Sequence, residues 1–299
     1  MYIHLYCVNI KSKMHKLGKL KYWLIMLLLC YCSVHTIAQN LIPDVKNIKL
    51  GDQTVQLMIY NKPGMDITYI HVHENEEASL AAGLSMLDKH GGKLITLAHS
   101  TDGSRNRNVT FTYQKTVYKF DPNRIYTSDK NVLKNSIIVE KGKGQVDDIV
   151  IKMVSDLSKA IWDEVDDKSF ILALHNNKNT PASFKIKWLF WKDVEPESYS
   201  IKSYIKSHDQ SSDSNKSCSD IYINPSINNS EFFIVTKKDD FESLVRKRYT
   251  VVLQNESPVD DGSMSVFASK FGKRYINAEA KMGRSDVQIK MLETLLADY

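Results

Sequence analysis

Cysteine is scarce in this chain. There are four, Cys7, Cys30, Cys32 and Cys218, and only Cys218 lies beyond the first 38 residues. One thiol cannot close an internal disulfide, so the rest of the chain must hold together by its core. Acid is missing from residues 1–39, which carry five lysines and no arginine. Taking those five from the 40 basic residues leaves 35, against 35 acidic ones. The remainder is neutral, and nothing in it favours a nucleic acid partner. No Pro- or Gly-rich linker, internal repeat or apolar run of membrane-spanning length interrupts the sequence. One domain is the reading for residues 39–299.

What is present begins with a leader. Lysines end at Lys21, and the apolar run "WLIMLLLCYC" follows over 23–32. The polar tail "SVHTIAQN" comes next, with Thr36 and Ala38 three and one residues before a cleavage point at Gln39. This is the order of a secretory signal, and the run is too short to span a bilayer comfortably. The expectation is a signal peptide over 1–38 and an exported chain, periplasmic or secreted, free of the membrane once the signal is removed. An uncleaved anchor is the alternative. A lipoprotein is disfavoured by Leu29 and Tyr31 before Cys30 and Cys32, and Met14 is a second candidate start.

From residue 50 onward, strand-like and helix-like runs alternate. "TVQLMIY", "DITYIHVH", "KLITLAH", "FILALH", "EFFIVTK", "YTVVLQ" and "RYINAEA" read as strands. "NVTFTYQKTVYKF" alternates and breaks at Gln114-Lys115, which predicts a β-hairpin. "EEASLAAGLSMLDKHGG", "QVDDIVIKMVSDLSKAIWDEV" and "DVQIKMLETLLAD" have helical spacing, the first stopping at Gly91-Gly92. The pattern predicts an α/β fold with a central mixed, largely parallel sheet between helices. The polar stretch "SHDQSSDSNKSCSD", 207–220, reads as a solvated loop or a mobile lid.

Chemistry concentrates in "YIHVHENEEAS", 69–79. His73 and Glu76 stand three apart at the junction of a strand and a helix, a spacing that lets an imidazole and a carboxylate meet one cation. Zinc takes such nitrogen and oxygen donors, three from the protein when the site is catalytic. His71 and Glu74 share the spacing but His71 falls inside the strand; a plain charged loop is the other reading. His175 ends the apolar strand "FILALH" and aims at the same sheet edge, or is structural. Asn123 and Arg124 in "DPNR", with Arg107, suit a carboxylate, although Asp121-Pro122-Asn123 also reads as a turn and each arginine as a surface ion pair. Glu279 sits among alanines in a late strand, where burial would favour a general base over an exposed glutamate.

Taken in order, "HENE", "DPNR", "ALHN" and "NAEA" resemble the zinc carboxypeptidase superfamily, nearest its succinylglutamate desuccinylase/aspartoacylase branch. That branch carries H-G-N-E, D-x-N-R and D-L-H-N segments and a late glutamate. The resemblance implies Zn²⁺ on His73, Glu76 and His175, a substrate carboxylate on Asn123, Arg124 and Arg107, and Glu279 as base, with Glu256 the substitute. It implies hydrolysis of an amide bond in a small molecule or peptide bearing a free carboxylate. Glu74 replaces the family glycine, adding bulk and charge beside the metal. Ala173 replaces an acid two residues before the third ligand. Those departures leave room for a binding protein that keeps the pocket without turnover.

Overall fold

A strand that opens on an apolar run buries both faces, and the sequence supplies one in "FILALHNN". It forms β8 (Phe170–Asn177), at the heart of a nine-stranded sheet. The structure, a computed structural model, describes residues 41–177, 199–210 and 214–299. The expected signal segment lies outside them. The chain divides into units of 1–42 and 43–299, and every element below belongs to the second. Among the described residues no helix is long and apolar enough to cross a membrane.

The strands are β1 (Asp44–Leu50), β2 (Gln53–Lys62), β3 (Ile67–His71), β4 (Gly92–Ala98), β8, β9 (Cys218–Tyr222), β10 (Phe232–Val235), β11 (Thr250–Gln254) and β12 (Tyr275–Lys281). Their order is β1-β2-β4-β3-β8-β12-β10-β11-β9. Parallel ladders join β4, β3, β8 and β12 at the centre, and β10 to β11. Antiparallel ladders are as numerous, because the short turn at Gly51-Asp52 can only fold β1 back on β2, and β9 returns along β11. The sheet is mixed, as expected, with its run of parallel strands at the middle.

A second sheet of β5 (Val109–Tyr113), β6 (Thr116–Phe120) and β7 (Ile137–Lys141) covers part of one face. Its hairpin turns at Gln114 and Lys115, both in the left-handed region at φ 47° and 63°, the geometry that matches strand twist.

The helices are α1 (Glu77–His90), α2 (Lys130–Ser136), α3 (Asp148–Trp162), α4 (Tyr199–Gln210), α5 (Lys238–Arg246), α6 (Met264–Lys270) and α7 (Ser285–Leu296). Asp147 caps α3, accepting from the N–H groups of Ile149 and Val150 at 3.1 and 2.9 Å. Val150, Val154 and Leu157 of α3 join Ile171 and Ala173 of β8, and Met264 and Ala268 of α6, in the main core. α1 packs against the opposite face. A Cβ on Gly83 would stand 2.6 Å from a Leu174 methyl, so a larger residue there would force that side chain to shift. α7 lies beside α1.

The polar stretch 207–220 is not one loop. Its first residues complete α4, and Cys218–Tyr222 forms the edge strand β9; residues 211–213 lie outside the described ones. An edge strand is paired on one side only, so Ser219 and Asp220 stay exposed while Cys218 is buried with Ile201, Phe232, Ile234 and Val252.

Candidate metal centre

The register of β8 and β12 sets one wall of the site. Ile171 pairs with Tyr275, Ala173 with Asn277 and His175 with Glu279. Alternation then puts His175 and Glu279 side by side on one face, at the carboxyl ends of both strands. β3 ends two residues earlier than the sequence pattern implied, at His71. The chain then turns tightly, and the Glu76 N–H donates to the His73 carbonyl at 3.0 Å. That turn brings the two side chains to the same side, directly before α1.

His73, Glu76 and His175 converge. His73 Nδ1 lies 2.9 Å from Glu76 Oε1 and 3.1 Å from His175 Nδ1, and His175 Nδ1 lies 3.3 Å from Glu76 Oε2. All three are buried, and they form a group able to hold a metal ion. The spacings suit zinc: tetrahedral ligands at about 2.0–2.1 Å from one ion are about 3.3 Å apart. The donor chemistry suits it too. Two imidazole nitrogens that face each other need a proton or a cation between them.

Asp121, which the sequence offers only as a turn residue, completes the arrangement. His73 Nε2 donates to Asp121 Oδ1 at 2.8 Å, which leaves Nδ1 with its lone pair toward the ligand group. Burial alone would lower the His73 pKa, but the carboxylates of Glu76 and Asp121 raise it overall. Burial would raise Glu76, yet His73 and His175 hold it well below the usual carboxylate range. Asp121 is held low in the same way, by His73 and Arg107 against burial. The Asn176 N–H donates to Glu76 Oε2 at 2.9 Å. Arg107 donates to Glu76 Oε1, and to Asp121 Oδ2 at 3.3 Å.

A cavity of about 900 Å³ opens beside this group. Glu76, His175, Arg107, Asn123, Arg124 and Glu279 all line it, so the seven expected site residues meet at one place once His73 is counted behind the wall. Arg124 pairs with Asp261, and its carbonyl presses on Gly262, where φ is +73° and a Cβ would come within 2.5 Å. Asn277 Nδ2 donates to Glu279 Oε1 at 3.0 Å. Burial raises the Glu279 carboxyl above its ordinary value, against the lowering pull of His175. Tyr204 and Lys206 of α4 close another side. Glu256 is exposed after β11 and does not line the cavity.

One expectation about the opening motif changes, that Glu74 crowds the metal. His71 and Glu74 do not face each other as ligands. His71 bonds Thr96 Oγ1 at 2.8 Å and the Glu76 carbonyl at 3.1 Å. Glu74 does not crowd the metal group either: its carboxylate turns to the backbone N–H groups of His99 and Ser100. Unpaired donors at the end of β4 attract it more than a cluster that already holds a carboxylate.

No protein-family model matches this sequence, and no curated protein does. A solved structure that matches is an aspartoacylase family protein from Mesorhizobium loti. It is 12% identical, with a TM-score of 0.35, over 85% of this chain and 70% of that one.

Proposed function

We propose that this chain is an exported zinc-dependent hydrolase that cleaves an amide bond in a substrate bearing a free carboxylate, such as an N-acyl amino acid or a peptide or peptidoglycan fragment. The observation that carries this reading is the meeting of His73, Glu76 and His175 beside a cavity that also presents arginines and a half-buried glutamate. The order of the four motifs along the sequence supports it.

His73, Glu76 and His175 would hold the ion, with Asp121 keeping the His73 proton on Nε2. A divalent cation there supplies Lewis acidity, polarising a carbonyl and acidifying water. Arg107, Asn123 and Arg124 bind the substrate carboxylate, because a guanidinium fork matches it with two parallel hydrogen bonds. Held by that end, the scissile bond is oriented before reaction. Glu279 takes the proton of the attacking water and delivers it to the leaving nitrogen. Its raised pKa makes it the stronger base of the cavity's carboxylates.

The test replaces the base alone. Glu279→Gln should keep its zinc and lose hydrolysis by about 10²–10⁴-fold. Retained turnover would move the base elsewhere. Zinc binding by the wild type without turnover on any N-acyl amino acid or peptide would favour a binding protein.

A further inference from the structure

The loop between β4 and β5, residues 99–108, returns Arg107 to the metal group. Three glutamates of the opening motif grip it. Glu77 pairs with Arg105 at 2.8 Å, in the open, where such a pair contributes little. Glu76 accepts from Arg107 but belongs to the ligand group. Glu74 is different, because its side chain is only 10% exposed and takes no part in that group.

Glu74 begins a relay. Its carboxylate accepts from the His99 N–H at 2.5 Å, from the Ser100 N–H at 3.1 Å, and from the Ser100 hydroxyl. Ser100 Oγ in turn accepts from the Asn106 N–H and from Asn106 Nδ2, each at 3.2 Å. Asn106 precedes Arg107. One largely buried carboxylate thus ties together both ends of the loop: charge-assisted bonds, about twice as strong as neutral ones, hold His99 and Ser100, and neutral bonds to the Ser100 hydroxyl carry the tie on to Asn106.

We infer that Glu74 is a positioning residue: through Ser100 and Asn106 it sets where Arg107 stands at the cavity wall, and so governs capture of the substrate carboxylate. The inference rests on the hydrolase reading for its substrate and on the relay for its geometry.

The experiment uses the full chain, zinc-loaded, with Glu74→Gly and Glu74→Gln. Kinetics are measured on N-acetylated amino acids. Glu74→Gly should raise KM about tenfold with kcat within about twofold, the pattern of lost uniform binding. Glu74→Gln, which keeps one acceptor, should fall between. In an Arg107→Ala background the Glu74→Gly effect should vanish, because the residue through which it acts is gone. An unchanged KM, or an equal rise with and without Arg107, would overturn the inference. Amide exchange gives a reading independent of turnover. The Asn106 amide does not touch Glu74, yet its exchange should accelerate about tenfold or more in Glu74→Gly as the loop opens. Unchanged Asn106 exchange would overturn the relay even in an enzyme inactive on every substrate. Accelerated exchange without any wild-type hydrolysis would instead leave the relay standing and count against the hydrolase reading.

Discussion

Asp121 holds two donors with one carboxylate oxygen. Oδ1 accepts from the Asn123 N–H at 2.8 Å, closing the turn that the sequence announced, and from His73 Nε2 at the same distance. The second partner was illegible in the sequence because 48 residues separate the pair and no periodicity links them. The family pattern that the motifs resemble puts an acid at position 173 instead, where this chain has alanine. Ala173 faces the main core at 1% exposure, where a carboxylate would be buried among apolar groups. Cys218 yields a prediction at this scale. Burial pushes its thiol up to about 12, so it stays protonated at ordinary pH. Because the folded value is raised above 9.0, the thiol's contribution to stability is complete below pH 9 and declines as pH climbs toward that value. Iodoacetamide at pH 8 should leave Cys218 unlabelled in the folded protein and modify it after denaturation, as read by peptide mapping. Fast labelling of Cys218 in the folded protein would place it at the surface.

Elements with strong apolar patterning were legible, and those without were not. β8 and β12, the helices α1, α3 and α7, and the hairpin at Gln114-Lys115 all fall where periodicity put them. β1 was missed because it is an edge strand whose residues 44–47 are all exposed. α5 and α6 are nine and seven residues long, too short to establish a period against their flanks. The bond between α7 and the strand ends was also hidden. Gln288 is fully buried; its Nε2 donates to the carbonyls of His175 and Ala278 at 3.1 and 3.0 Å, and its Oε1 accepts from Asn176 Nδ2 at 3.0 Å. Asn176 Oδ1 in turn accepts from the Ser79 N–H at 2.9 Å, in the first turn of α1. One glutamine on a helical face thus fixes two strand ends and, through Asn176, the Glu76 carboxylate. Gln288→Met keeps the volume but strips those partners, at a cost of about 1–3 kcal/mol for each buried group left unpaired. Thermal melting of the zinc-free variant should show that loss, and competition with a chelator should show zinc held about tenfold or more weakly. Full retention of both would reduce Gln288 to packing.

At the scale of the whole molecule, the parallel centre of the sheet explains where the chemistry lies. β3, β8 and β12 run the same way, so the residues at or just beyond their carboxyl ends, His73, His175 and Glu279, share one rim. Ligands in open α/β sheets bind at such rims. Ile234 of β10, Tyr204 and Lys206 of α4, and Ser263 and Ser265 at the start of α6 line the cavity beside it and belong to no metal-ligand group among the described residues. The rim was legible because strand direction follows from alternation with helices, while the cavity's far wall was not, since Tyr204 and Lys206 come from a stretch with no strand or core signal. The most direct test of the metal centre is an anomalous difference map at the zinc edge from crystals grown with zinc. One peak should appear about 2.0–2.2 Å from His73 Nδ1, His175 Nδ1 and a Glu76 oxygen. A map with no peak among those three side chains, or with zinc bound elsewhere on the chain, would contradict it.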